Sequence, residues 1–123
     1  MGKYAEIIDR LEKATGPDRN IDVFAWTLII GIKPRHTFFA GRDEHVEKIT
    51  ASIDASVALV EKMLPGWAHG YDKGQKTCIG FVDRHDFNDR ITGARFTATG
   101  ASAPIAILIA LFKALEAKES GDV

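Results

Sequence analysis

Between Thr50 and Trp67 the chain reads TASIDASVALVEKMLPGW, with apolar residues at Ile53, Val57, Val60 and Leu64, in steps of four, three and four. That spacing lines them along one side of a helix. Leu59 and Met63 widen the stripe, while Glu61 and Lys62 fall outside it. Ser52 stands where a hydroxyl caps free N–H groups, Asp54 puts negative charge in the first turn, and Pro65-Gly66 breaks the pattern before Trp67. The same period runs through Tyr4, Ile7, Ile8 and Leu11, with Glu6, Asp9, Arg10, Glu12 and Lys13 facing mostly outward, and predicts a first helix ending near Ala14. Gly16 closes it, and Pro17-Asp18 opens a second helix running from about Asp18 to Ile30. Ile21, Phe24, Ala25 and Leu28 form one face of that helix. Val23, Trp26, Ile29 and Ile30 leave little of the remainder polar, so it is expected to be buried on more than one side or interrupted before Ile30.

Residues 31–49 lose the periodicity. They contain Pro34, Gly41, several charges, His36 and His45, with Phe38 and Phe39 as inward anchors, and read mostly as loop. A connection of that length suggests local order or a specific role; the plainer reading is a loop pinned by two aromatic rings. Trp67 to Lys73, Lys76 to Val82 and Ile91 to Thr97 read as three short strands, and Lys73-Gly74-Gln75 marks the first two as an antiparallel hairpin. Alternation groups Trp67, His69 and Tyr71, then Ile79 and Phe81, then Ala94, Phe96 and Ala98. Cys78 and Val82 suggest that the opposite side of the sheet is also partly covered. A final helix opens with Ser102 as its cap and Pro104 in its first turn, and carries Ile105, Leu108, Leu111, Phe112 and Leu115 on its main face, broadened by Ile107 and Ile109. Helix, helix, helix, three strands, helix predicts an α+β domain: a small three-stranded antiparallel sheet packed between helices as a layered sandwich.

The chain has 123 residues, 46% hydrophobic and 27% charged, which suits one domain spanning 1–123 rather than two. Sixteen Lys and Arg against seventeen Asp and Glu give a formal charge of -1, so no global field draws it to nucleic acid or an anionic membrane. Cys78 is the single cysteine, which excludes an internal disulfide and a cysteine-rich zinc site and fits a reducing compartment. The N-terminal MGKYAEIIDRLEKATG mixes charged and apolar residues too often for a signal peptide. Ile105 to Leu115 carries Lys113 and is too short to cross a bilayer, so no membrane partner is expected.

Three segments, LEKATGPDRNID at Leu11 to Asp22, TASIDASVALVEKMLPGW at Thr50 to Trp67 and ATGASAPIAILIALFKAL at Ala98 to Leu115, together resemble the phage ABA sandwich domain family, small proteins encoded by phages and integrated prophages. The resemblance covers most of the chain and rests on the ordered set, since each segment alone is mainly a helix with its caps. It implies a layered helix–sheet–helix domain working in the cytoplasm of a bacterial host, and it brings no catalytic activity or catalytic residues with it. Residues 31–49 and 69–90 match no functional pattern, and a function particular to this member would lie there.

Asp83-Arg84-His85-Asp86, followed by Asp89 and Arg90, is the densest group of acid, base and metal-ligand side chains. Carboxylates and imidazole bind divalent ions, but these are near neighbours in a predicted turn, with only the distant His36, His45 and His69 as further imidazoles, and the stretch reads foremost as a solvated loop. Cys78, within TCIGFV, reads as a buried structural cysteine. His69, within WAHGY, either faces a pocket between sheet and helix or stands half-exposed beside aromatic anchors. No phosphate-binding glycine motif, HExxH site or serine elbow occurs. No catalytic, cofactor-binding or metal-ligating residue is therefore assigned, and no cofactor is expected.

Lys73, Lys76, Arg84, Arg90 and Arg95 offer a basic rim, with Tyr71 or Phe87 as a stacking surface for single strands. Asp72, Asp83, Asp86 and Asp89 nearly offset that charge, which makes nucleic acid a less favoured partner. The favoured expectation is a non-enzymatic phage or prophage accessory protein acting through association with a second copy of itself or with a phage or host protein. The apolar breadth of the final helix and of Phe24 to Ile30 motivates it, against the plainer account in which every apolar face is satisfied within one chain. A single-stranded nucleic-acid binding module and a small metal-dependent enzyme are the alternatives.

Overall fold

The computed structural model describes residues 3–30, 47–85 and 91–121. Its elements are α1 (Ala5–Lys13), α2 (Arg19–Ile30), α3 (Ile53–Met63), β1 (Ala68–Lys73), β2 (Cys78–His85), β3 (Ile91–Gly100) and α4 (Ala103–Glu119). This is the α+β sandwich that the hydrophobic pattern predicts, with a three-stranded antiparallel sheet in the order β1-β2-β3.

Local chemistry sets most helix boundaries. The Asp18 carboxylate accepts from the N–H groups of Asn20 at 2.8 Å and Ile21 at 3.3 Å, opening α2. Ser52 Oγ accepts from Ala55 N–H at 3.1 Å and opens α3. The chain leaves α3 through Pro65 and Gly66, and Gly66 takes a positive φ of 84° that a side chain would oppose. Ser102 occupies the N-cap position of α4, as expected, but only its carbonyl serves there, accepting from Ala106 N–H at 2.9 Å. Its hydroxyl is buried without a hydrogen-bond partner, so the expected side-chain cap is not made.

The final helix is the central layer of the molecule. α4 crosses the three strands on one side and packs against α1 and α3 on the other. Its residues from Ala103 to Phe112 are all buried, as are Ala114 and Leu115. A helix apolar on every side requires cover on every side, and here the same chain supplies it. The expectation that the breadth of this helix forms an outward association surface is therefore corrected. α2 lies beside α1, with Ile21 and Ala25 buried and Phe24, Leu28 and Ile29 partly buried against the main core.

β2 and β3 run past the ends that their apolar pattern predicts, while β1 begins at Ala68 and β2 at Cys78, one and two residues later than expected. β2 continues through Asp83, Arg84 and His85, and β3 reaches Gly100. Asp83-Arg84-His85 is thus strand rather than turn, held by pairing with Ala68 on one side and Arg95 on the other and followed by a register shift between Asp83 and His85. Pairing also fixes the faces. Val82 lies opposite His69 and Phe96, and Gly80 opposite Tyr71 and Ala98, so these residues share the side with Cys78 that meets α4. Ile79 and Phe81 point away from α4, and Ile79 is 49% exposed. On β2 the residues that read as the reverse face, Cys78 and Val82, are the packed ones, whereas His69 and Tyr71 of β1 and Phe96 and Ala98 of β3 share that packed side.

Gly80 explains the inversion. A Cβ built on Gly80 would lie 2.5 Å from Ala106 C and Ile107 N, and one on Gly100 would lie 2.8 Å from Ala106 N. Side chains at these two positions would hold α4 off the sheet. Their absence brings the helix backbone down onto β2 and β3, with Cys78, Ala103 and Ala106 forming a small buried cluster beside the contact.

Candidate functional site

One stripe of α2 and one stripe of α3 border a groove of about 510 Å³. Asp22, Trp26 and Ile29 line it from α2 at steps of four and three, and Ala55, Ala58, Leu59 and Lys62 line it from α3 at steps of three, one and three. Both sets fit a single helical face. Asp54, Ser52, Ile49 and Glu47 complete the wall from the start of α3 and the segment before it. The apolar part consists of Trp26, Ile29, Ile49, Ala55, Ala58 and Leu59, and the two alanines leave depth where larger residues would fill the space.

A buried polar junction holds the two walls together. Asp22 is 2% exposed. One of its carboxylate oxygens accepts from the Thr50 hydroxyl at 2.8 Å and from the Thr50 N–H at 2.9 Å. The other lies 3.3 Å from Arg19 Nη1. Thr50 Oγ1 also accepts from Asp18 N–H at 2.9 Å, so one hydroxyl joins the entry to α3 to the first turn of α2. The carboxylate is thus paired in charge and fixed by three hydrogen bonds, two from Thr50 and one from Arg19, the condition under which a buried ionised group is tolerated. Glu47, Asp54 and Lys62 are exposed and supply the remaining charges of the wall.

The acid, base and imidazole residues singled out by the sequence do not converge in this way. Asp83 is 3% exposed, on the sheet face turned away from α4. Arg95 Nε approaches its Oδ1 at 3.2 Å, but that oxygen has no partner in hydrogen-bond geometry, so the contact is an ion pair only. The Arg95 guanidinium also lies 4.9 Å from the centre of the Phe81 ring, and a Cβ on Gly70 would collide with that ring. Arg95 therefore engages Asp83 and Phe81 together. The backbone of His85 ends β2 while its side chain lies outside the described part, and Asp86, Asp89 and Arg90 lie outside the described residues.

His69 is on the α4 side of the sheet, half-buried, with Nε2 3.5 Å from Glu61 at the exposed end of α3. It does not line the α2–α3 groove. Cys78 is buried, as expected. Among the described residues, no group of three or more His, Cys, Asp and Glu is placed to hold a metal ion. No described helix is long and apolar enough to cross a membrane.

The expected basic rim is divided between the two faces. Alternation and pairing put Lys73 on the side that meets α4 and Arg95 on the other, already engaged with Asp83 and Phe81, while Arg84 falls at the register shift of β2. Tyr71 is exposed, at the β1 edge, and Phe87 lies outside the described residues. Residues 31–46 of the predicted loop also lie outside the described residues; of its remainder, Ile49 is buried and Glu47 lines the groove. The groove itself went unassigned at the level of sequence. Its one visible signal was the apolar excess of Trp26 and Ile29 on α2. Comparison with family models, curated proteins and solved structures returns no match to this chain.

Proposed function

We propose that this protein is a non-enzymatic accessory protein of a phage or prophage, working in the bacterial cytoplasm by associating with another protein chain through the groove between α2 and α3. The observation that carries the reading is the groove itself: Ile29 and Leu59 remain only partly buried and Ala58 is exposed, beside a wall fixed by the Asp22–Thr50 junction. An apolar groove between helices is one of the forms in which proteins receive a segment of a partner chain. The phage assignment rests on the three segments that resemble the ABA sandwich family. A second copy of the chain and a phage or host protein are the two kinds of partner.

Sedimentation over a wide concentration range separates them, since self-association raises the mass with concentration. Recovery of partners from phage-infected cells, by wild type and by Ala58→Arg at an exposed position of the groove, covers the other case. We expect a partner that is retained by wild type and lost with Ala58→Arg, while both proteins show the same unfolding midpoint. A protein that stays monomeric and retains nothing through the groove would remove the association reading.

A further inference from the structure

We draw no further inference here: the strongest candidate, the sheet face turned away from α4 where Ile79 stands exposed beside Arg95 and the buried Asp83, carries none, because Arg95 is already engaged by Asp83 and Phe81 and nothing in the structure shows what covers Ile79.

Discussion

At the scale of single residues, Thr50 does more than its place beside a helix start suggests. Its hydroxyl and N–H both donate to one oxygen of the buried Asp22, and its Oγ accepts from Asp18 N–H. Thr50→Val keeps the shape and removes the hydroxyl, leaving Asp22 with one fewer donor in a site closed to water. The expected cost is about 2 kcal/mol, since loss of one partner from a buried charged group exceeds the value of an average hydrogen bond. It should appear as a lower urea midpoint with unchanged slope, and Thr50→Ser should recover most of it. The cap at Ser52 was legible in the sequence because donor and acceptor stand three residues apart. The Asp22–Thr50 bond spans 28 positions, and nothing local in either residue encodes its partner. Ser102 shows the converse: the right residue at an N-cap position, with its hydroxyl making no cap.

At the scale of elements, the contact between α4 and the sheet depends on two residues without side chains. Gly80→Ala should destabilise the fold by about 1–3 kcal/mol, because its methyl group meets helix backbone rather than a side chain that can turn aside. Thermal unfolding of Gly80→Ala beside Gly16→Ala provides the test, as a Cβ on Gly16 meets no atom within 4 Å. Equal midpoints would show that α4 shifts freely on the strands. The same glycine accounts for what the sequence obscured. Period-two alternation correctly separated Ile79 and Phe81 from Cys78 and Val82, but with apolar residues on both sides of β2 it left open which face the helix would cover. Close helix approach selected the face of Cys78 and Val82. The extension of β2 through Asp83, Arg84 and His85 was hidden for a related reason: three consecutive polar residues resemble a turn until the pairing of Asp83 with Ala68 and Arg95 is known.

At the scale of the whole molecule, the order of elements and the α+β class were readable because each helix and strand carries its own period. Their placement was less so. An all-round apolar helix needs cover, but sequence does not say whether that cover comes from the same chain or from a partner, and here α1, α3 and the sheet provide it. The groove was faint for the opposite reason: it is assembled from half-apolar stripes on two helices whose adjacency depends on a distant polar junction. The position of α4 has a further consequence in time. All six other described elements leave the ribosome before it, and its pairing with α1 closes a loop across most of the chain. Contacts so distant in sequence delay closure. A chain ended at Gly100 should therefore bind a hydrophobic dye and unfold without a cooperative transition, whereas the chain carrying α4 should show one sharp transition. During synthesis, the nascent protein must carry two unfilled apolar surfaces until the helix that joins them emerges, which makes that interval its period of greatest exposure to misassembly and to chaperones.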